Sequence, residues 1–358
     1  MRIAWKGETM PVQHVIPTSV LSDFYVQVFV QAGMPLADAH CAAAVRLESL
    51  LRQPAGLDAD HIRRLQHTVR RLQSGGINPT PRLRIVQERS PFALLDGDNG
   101  LGAVVGTRAM EQCLTRAKQQ GLALVAVRNS TTLGMLAYYA MLALEHQAIG
   151  FAATNTELNI GIPPWGGLTH ALGNNPFAVA IPGGHGPAIV LDMSVIATRP
   201  QGSSSDDTAV RHGPSGSAVL ARPVIGEHKG YGLALVIEIL TGVLTGAGFG
   251  QDHAPEHLAG PAAAPNLGHL FGVLDPTVCL PLEEFGSRID RLRTEITHGQ
   301  RAPGVERILL PGELEHERRE ERLSQGIPVQ ADTLDVLRTL CDALAVDSPL
   351  VKERNGVC

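Results

Sequence analysis

The chain has 358 residues, 44% of them apolar, which is enough to bury one large hydrophobic core or two moderate ones. Its net charge is −5 and it has no long run of Lys and Arg, so a nucleic acid partner is not expected, because phosphate binding needs clustered basic side chains. The five cysteines have no Cys-x-x-Cys spacing, which argues against a metal cluster and a disulfide framework. Without an apolar run of membrane-helix or signal-peptide length, we expect a soluble, cytoplasmic protein with no membrane partner.

The N-terminal part of the chain, up to Gly75, is predicted to be helical. One helix is expected to begin near Pro17, where apolar residues start to recur at helical spacing. A second is expected over residues 37–51, which are rich in Ala and Leu. A third, basic and amphipathic, is expected over residues 58–72 and to end at the glycine pair 75–76.

The middle of the chain is predicted to form an α/β core. Short apolar runs bounded by turn residues predict strands over 92–97, 122–127, 149–154, 178–181 and 188–191. Helical spacing predicts helices between them, over 109–119 and 135–145. This alternation favours strands that are covered by helices. The Gly- and Ser-rich residues 201–207 predict a flexible polar loop.

The remainder of the chain is predicted to be helical again. Helices are expected over residues 231–245, 313–323 and 333–344. We expect the helical segments from both chain ends to pack into one discontinuous domain. The predicted division is a helical segment over 15–90, an α/β cofactor core over 91–260, a helical return over 261–345 and a tail over 346–358.

A glycine-rich tract at residues 100–106 imitates a dinucleotide fingerprint. It follows a predicted strand and precedes a helix, and such glycines let a backbone approach a pyrophosphate at a helix N-terminus. However, its spacing is GxGxxxG, and the next strand ends in Arg128-Asn129 where NAD recognition would need a carboxylate. Arg128 could face a 2′-phosphate in a Rossmann NADP site. The alternative is a glycine-rich turn before a packed helix.

Seven motifs and one variant motif lie along the chain in a fixed order. The seven are GLDADHIRRL at 56–65, GGINP at 75–79, TNT at 154–156, LGNNP at 172–176, LDM at 191–193, KGYGL at 229–233 and PGE at 311–313. The variant is STTLG at 130–134. With this set, residues 20–345 closely resemble the malate/L-lactate dehydrogenase family, which includes sulfolactate, ureidoglycolate and diketogulonate dehydrogenases and cyclic-imine reductases. Its members normally carry Ser-Asn-His-Phe-Gly at the variant motif.

The resemblance implies a sulfolactate-dehydrogenase-like α/β fold, with a mixed-sheet cofactor core and a discontinuous helical domain. It implies a homodimer in which both subunits complete the cleft, a cofactor (NAD or NADP) bound outside a Rossmann fold, and a small carboxylate-bearing substrate. The residues that would contact the cofactor by resemblance are Asn155, Asn174, Asn175, Pro176, Asp192, Met193, Lys229, Gly230, Gly312 and Glu313. The alternative is that these Asn and Gly residues only shape turns.

The resemblance also places the substrate-binding residues. It assigns the substrate carboxylate to Arg64, because a guanidinium pairs well with a carboxylate in bidentate fashion. The alternative is that Arg64 is one more charge on a basic helix. Asp60 and Thr132 occupy the two positions where the family has its active-site histidines.

Neither replacement is an ordinary general acid near neutral pH. His61 is one residue from the first position, but a one-residue step on a helix turns the side chain by about 100°. Asp60 is therefore predicted as a proton relay and Thr132 as a hydrogen-bond donor, with Lys229 or Tyr231 as alternative proton donors.

Three hypotheses follow from the paired substitution. The first is an NAD(P)H-dependent reductase of a small 2-keto acid or cyclic 2-imino acid with a non-standard acid/base set. The second is an enzyme of the same scaffold that catalyses a non-redox step, such as elimination, condensation or cyclisation. The third is a catalytically silent binding subunit, against which the retained charges of Arg64, Asp192 and Lys229 argue.

Overall fold

The computed structural model of the chain describes residues 12–157, 161–169, 171–200, 210–212, 218–223, 227–253, 260–330 and 332–346. Over these residues the chain forms two compact units. Unit 1 is drawn from Met1–Gln73, Ile181–Val190 and Pro276–Cys358, and unit 2 from Ser74–Ala180 and Leu191–Asp275. Unit 1 thus joins both ends of the chain, as the sequence predicts.

The helices have bounds close to those expected in the N-terminal part of the chain and differ more in the core. They are Thr18–Gln31 (α1), Leu36–Arg52 (α2), Ala59–Ser74 (α3), Gly102–Gln120 (α4), Leu136–Met141 (α5), Glu227–Glu238 (α6), Leu282–Thr297 (α7), Glu313–Gln325 (α8) and Thr333–Leu344 (α9). A π-helical turn, Ile239–Val243, continues α6. None of the helices in the described part of the chain is long and apolar enough to cross a bilayer.

The strands include several that the sequence did not predict. They are Val12–Ile16 (β1), Arg84–Arg89 (β2), Phe92–Gly100 (β3), Leu122–Ser130 (β4), Ile149–Thr154 (β5), Phe177–Ile181 (β6), Ile189–Met193 (β7), Ile196–Pro200 (β8), Val210–His212 (β9), Ala218–Pro223 (β10), Leu267–Leu274 (β11) and Ile327–Gln330 (β12).

Backbone pairing joins the two chain ends within unit 1. β1 pairs antiparallel with β12, with Ile16 opposite Ile327. The Leu57 N–H donates to the Pro328 carbonyl over 2.8 Å, and the Leu57 carbonyl accepts from the Gln330 N–H over 3.0 Å. The expectation that the chain is entirely helical up to Gly75 is therefore wrong at β1, because the pairing partner of β1 lies near the opposite end of the sequence.

Unit 2 is built on a seven-stranded mixed sheet with the order β2-β3-β4-β11-β5-β6-β7. β3 and β4 are parallel, whereas β11 pairs antiparallel with both β4 and β5. β11 was not predicted because two glycines and a histidine interrupt its apolar run. Gly268 is nonetheless required there, since a Cβ would lie 1.7 Å from the Thr241 carbonyl oxygen. With β2 and β11, the sheet extends beyond the segment 91–260 that was expected for the core.

A second, three-stranded antiparallel sheet has the order β8-β10-β9. It lies within the region from which the sequence predicted a flexible polar loop. That loop, residues 201–207, falls outside the described residues. The flanking segments are strands rather than irregular chain, and β10 pairs with both β8 and β9.

Candidate active site

The first turn of α3, in unit 1, starts with a hydrogen-bonded pair. Asp58 Oδ1 accepts the His61 backbone N–H over 2.9 Å and lies 2.8 Å from His61 Nδ1, which caps the helix. Burial alone would raise the pKa of Asp58, but the hydrogen bonds from His61 outweigh burial and lower it. His61 Nε2 lies 3.0 Å from Gln53 Oε1. Because both ring nitrogens have partners inside unit 1, His61 is poorly placed to replace the histidine missing at position 60.

Asp60 and Arg64 lie one turn apart on the exposed side of α3. Asp60 Oδ2 is 3.8 Å from Arg64 Nη2, and Asp60 Oδ1 accepts a hydrogen bond from Arg63 Nη1 over 3.2 Å. The Asp60 side chain is 49% exposed and that of Arg64 68%. A negative charge thus stands beside the arginine that the resemblance assigns to the substrate carboxylate.

A buried arginine from the C-terminal part of unit 1 supports the chain just before this turn. Arg322, on α8, donates from Nη1 to the carbonyls of Leu50 and of Gln53, and from Nη2 to Pro54 over 3.1 Å. Nη1 also lies 3.2 Å from the Ala55 carbonyl. The sequence did not predict this role, because an arginine in a highly charged helix has the same local pattern as a solvated one.

The second variant position, Thr132, lies in unit 2 in a loop held by its neighbours. Thr131 is buried, and its Oγ1 accepts the Gly102 N–H over 2.8 Å and donates to the Gly100 carbonyl over 3.2 Å. Thr132 itself is exposed. Asp192 Oδ2 accepts the Ala137 N–H over 3.0 Å, at the start of α5. Unit 2 therefore brings Asp192 to the helix that follows the Thr132 loop.

The glycine-rich tract at 100–106 packs against this same loop. A Cβ on Gly102 would lie 2.3 Å from the Thr131 carbonyl oxygen, and a Cβ on Gly106 would lie 2.7 Å from the Tyr139 ring. Protein atoms thus lie within contact distance of both glycines, which accounts for the glycines as packing residues. The structure supports the packed-helix interpretation of the tract and not the Rossmann NADP site; α4 begins inside the tract rather than at residue 109.

Two of the predicted cofactor-binding asparagines are engaged by the fold of unit 2. Asn155 is fully buried: its Nδ2 donates to the Gly248 carbonyl and its Oδ1 accepts the Gly268 N–H, both over 2.9 Å. Asn174 Oδ1 accepts from the Thr156 hydroxyl over 3.0 Å. These contacts support the alternative that both asparagines shape the strand ends. Pro176 is half-buried beside them.

Asn175 differs from its neighbours in geometry and in hydrogen bonding. Its φ is 33°, in the left-handed region that non-glycine residues seldom adopt and that is disfavoured before a proline. Its side chain is fully buried, and Nδ2 donates to the Ala234 carbonyl over 2.9 Å and to Glu238 Oε2 over 2.7 Å. Glu238 Oε1 in turn accepts the Gly250 N–H over 2.8 Å. Within the described part of the chain, Asn175 Oδ1 has no donor.

The KGYGL motif forms the start of α6. Lys229 is exposed and Gly230 is buried, while Tyr231 packs against an apolar cluster that includes Ala234 and Ile237. A Cβ on Gly232 would have no described atom within 4 Å. A glycine inside a helix costs about 1 kcal/mol relative to alanine, and nothing described in unit 2 accounts for this one.

The PGE motif has a packing role in unit 1. Gly312 has φ 87°, and a Cβ there would lie 2.9 Å from the Val190 carbonyl oxygen. Glu313 Oε1 accepts from Arg293 Nη1 over 2.7 Å, and Oε2 accepts the Leu310 N–H over 3.1 Å. Both carboxylate oxygens therefore have protein partners. Met193, the last residue of β7, is half-buried.

The sequence analysis did not single out several buried polar residues of unit 2, among them Glu238, His253 and His269. Glu238 had a signal, because it is the one charged residue in the apolar run 233–244. His269 is fully buried, its Nδ1 lies 2.7 Å from the Thr154 hydroxyl, and burial lowers its pKa to about 3. It is therefore a neutral core residue at physiological pH.

Comparison with known proteins identifies the family. The family model described as malate/L-lactate dehydrogenase matches residues 16–199 and 196–338. A malate dehydrogenase from Pyrococcus horikoshii is 33% identical over 355 residues, covering 93% of this chain and 96% of the relative. The solved structure of malate dehydrogenase from the same organism has a TM-score of 0.81 at 31% identity, covering 94% of this chain and 97% of that one.

A sulfolactate dehydrogenase from Methanocaldococcus jannaschii is also similar. Its solved structure has a TM-score of 0.79 at 30% identity and covers 93% of this chain and 98% of its own. The predicted sulfolactate-dehydrogenase-like fold, with its mixed sheet and its discontinuous helical unit, is confirmed.

Proposed function

From the premise that this chain belongs to the malate/L-lactate dehydrogenase family, we propose that it reduces a small 2-keto acid or cyclic 2-imino acid with NAD(P)H, using a non-standard acid/base set. The chain is an oxidoreductase, and its named relatives are dehydrogenases of small hydroxy acids such as malate and sulfolactate. The choice of substrate, the cofactor and the acid/base set are the proposed parts.

The observation that carries the proposal is the buried side-chain oxygen of Asn175, Oδ1, which has no donor among the described residues. A buried acceptor without a donor costs about 1–3 kcal/mol, and the left-handed backbone adds strain of similar size. A ligand that donates an N–H to Asn175 Oδ1 would remove the cost of the unpaired acceptor when it binds. The carboxamide of a nicotinamide has two N–H donors, and we assign Asn175 to it.

The start of α6 supports the same assignment. A Cβ on Gly232 would have no described atom within 4 Å, and exposed Lys229 can pair with a phosphate or a carboxylate. The residues of unit 2 that would hold NAD or NADP are thus Asn175, Lys229 and the backbone around Gly232. When bound, the reduced cofactor supplies the hydride.

The remaining roles are assigned from the resemblance to the family. We assign the substrate carboxylate to Arg64 and a hydrogen bond to the reacting oxygen or nitrogen to the Thr132 hydroxyl. Lys229 is the better candidate for a protein-derived proton, because Tyr231 packs into an apolar cluster while Lys229 is exposed.

We also propose that the chain is a homodimer. Exposed apolar side chains, Val236, Ile239, Val243 and Leu244, follow one another along α6 and its π-helical continuation. Contiguous exposed apolar surface is typical of protein–protein interfaces. The molar mass in solution, measured by light scattering, tests this assignment.

Fluorescence titration with NADH and NADPH tests the cofactor assignment. Asn175→Ala should weaken binding of the preferred cofactor by roughly 10- to 100-fold, the equivalent of one lost buried hydrogen bond. Asn155→Ala is the matched control, because it removes a buried amide whose partners are all within the protein.

The outcomes separate the hypotheses. Equal loss in both variants, per folded molecule, would remove Asn175 from the cofactor site. Absence of binding of either cofactor to the unmodified protein would favour the silent subunit. Tight binding without turnover on any keto or imino acid would favour a non-redox enzyme.

A further inference from the structure

We propose that Asp60 is a specificity-determining residue that selects substrates carrying a protonated nitrogen beside their carboxylate. The substrate class is then the 2-imino acid in its iminium form, rather than the 2-keto acid. This inference rests on the proposed function and narrows it.

The geometry of the first turn of α3 carries the argument. Asp60 Oδ2 and Arg64 Nη2 lie 3.8 Å apart, and both side chains are about half exposed or more. An ion pair this exposed contributes little to stability, so a ligand can insert between its members at small cost. Arg63 holds the other oxygen of Asp60 over 3.2 Å, which leaves Oδ2 on the Arg64 side.

The pair offers opposite charges at a separation that a zwitterion can match. In a 2-imino acid the iminium nitrogen and the carboxylate are attached to the same carbon, so their charges lie a few ångströms apart. Arg64 would bind the carboxylate and Asp60 the N–H of the iminium, each through a charge-assisted hydrogen bond. A 2-keto acid presents two oxygens instead, and its carbonyl oxygen would meet the Asp60 carboxylate with repulsion.

The surrounding charges strengthen this discrimination. Arg64 also acts electrostatically on Asp58, the carboxylate that caps the same helix. Two carboxylates and two arginines therefore share the first turn and a half of α3. A purely anionic ligand gains less here than it would beside an unopposed arginine, whereas a zwitterion retains both attractions.

The chemistry of imine reduction suits a site that lacks a histidine acid. A hydride from the reduced cofactor would add to the carbon of the C=N bond, the π pair would move to nitrogen, and the cofactor would be oxidised by two electrons. The nitrogen keeps the proton it brought, so its positive charge is discharged without a proton from the protein. The amine product then takes a proton from water. Asp60 then accepts a hydrogen bond from the substrate and transfers no proton, and Thr132 acts only through a hydrogen bond.

A structural explanation of Asp60 exists and must be separated from this one. An aspartate in the first turn of a helix stabilises the helix dipole and pairs with an arginine one turn later. Asp335 on α9 does the same in unit 1: it lies in the first turn and pairs with Arg338 over 2.8 Å. Asp335→Asn is therefore the matched control for Asp60→Asn.

Calorimetric binding of two product-like probes tests the proposal without turnover. L-pipecolate has a carboxylate and a protonated ring nitrogen, and tetrahydropyran-2-carboxylate replaces that nitrogen with oxygen. The unmodified protein and Asp335→Asn should bind pipecolate at least roughly tenfold more tightly than tetrahydropyran-2-carboxylate. In Asp60→Asn the ratio of the two affinities should be close to one. A ratio near one in the unmodified protein, or an unchanged ratio in Asp60→Asn, overturns the proposal.

Steady-state kinetics with Δ1-piperideine-2-carboxylate and pyruvate separates this proposal from the proposed function. Asp60→Asn should lower kcat/KM for the imino acid, and Asp60→His should raise the ratio of keto acid to imino acid turnover. If the preference for pipecolate depends on Asp60 but neither NADH nor NADPH is oxidised, the proposed function is wrong and the charge selection by Asp60 is retained. If the protein turns over substrate and the ratio of imino acid to keto acid turnover is the same in Asp60→Asn, the charge selection is wrong and the proposed function is retained.

Discussion

The start of α3 and the polar network around Asn175 differ in almost every physical respect. Asp60 and Arg64 are exposed, charged and paired at 3.8 Å, so their partners can be exchanged for a ligand at little cost. Asn175 and Glu238 are buried and held by several hydrogen bonds at 2.7–2.9 Å, on a backbone that is strained at Asn175.

The difference indicates where such a scaffold can change its specificity. A substitution in the buried network leaves donors and acceptors unpaired and endangers the fold. A substitution at Asp60 changes the charge that a substrate meets while the helix persists. Asp60, which by the resemblance occupies a histidine position of the family, is not a member of the network that we assign to the cofactor.

The largest effect is expected where a buried group supports the exposed region. Arg322→Ala removes the guanidinium that donates hydrogen bonds to the backbone carbonyls of Leu50, Gln53, Pro54 and Ala55. We expect the free energy of unfolding to fall by about 4 kcal/mol, because several buried acceptors lose a charged donor at once. Urea denaturation followed by circular dichroism measures this.

Arg338→Ala provides the control for that experiment. It removes an arginine from the exposed Asp335 pair on α9 and should change the free energy of unfolding by no more than about 0.5 kcal/mol. If both variants lost the same stability, Arg322 would be one more surface charge and the support of the first turn of α3 would have to lie elsewhere.

The sequence predicted local structure better than contacts. The helices α1 to α3 and α8, and the strands β3 to β5, follow from apolar spacing and turn residues within each segment. β11 did not, because Gly268 and Gly272 hide a central strand whose glycines are needed for close packing. The helix expected over 135–145 is shorter than predicted and continues as a 3-10 turn, Leu142–His146.

The candidate site could be located from motifs but not evaluated from them. Asn155 and Asn175 had the same standing in the sequence, and both are fully buried. They differ because the Asn155 amide bonds to Gly248 and Gly268, which are distant in sequence, whereas Asn175 Oδ1 has no donor among the described residues. Such partners are set by the tertiary fold and have no signature near either asparagine.

Acid should destabilise the buried region of unit 2 through His269. Its pKa is about 3 in the folded protein against about 6.5 when unfolded, so the folded state binds no proton where the unfolded state does. The free energy of unfolding therefore does not depend on His269 protonation above about pH 6.5, and it decreases as the pH falls toward 3. At pH 5 the loss should be about 2 kcal/mol. His269→Asn should flatten the slope of stability against pH, whatever its absolute stability.

The exposed His185 should behave in the opposite sense. Its hydrogen bond to Asp290, at 2.6 Å, raises the pKa of His185, so its contribution is present at low pH and is lost as the pH rises through that pKa. In an NMR titration, Asp290→Asn should lower the pKa of His185. If the free energy of unfolding of His269→Asn still fell in acid as steeply as that of the unmodified protein, burial of His269 would not be the source of the decrease.

The smallest and sharpest test uses two helical glycines that meet different surroundings. Gly106→Ala on α4 should lower the free energy of unfolding by about 1–2 kcal/mol, because its Cβ would lie 2.7 Å from the Tyr139 ring and 2.8 Å from Leu133. Gly232→Ala on α6 should raise it by about 0.5–1 kcal/mol, because alanine is the better helix former and no described atom lies within 4 Å of the added Cβ. Thermal denaturation of both variants measures the two changes in stability.

If the backbone around Gly232 contacts the cofactor, Gly232→Ala should bind NADH or NADPH more weakly although it is more stable. Unimpaired binding by Gly232→Ala would place the cofactor away from the start of α6, and the assignment of Asn175 would then stand without it.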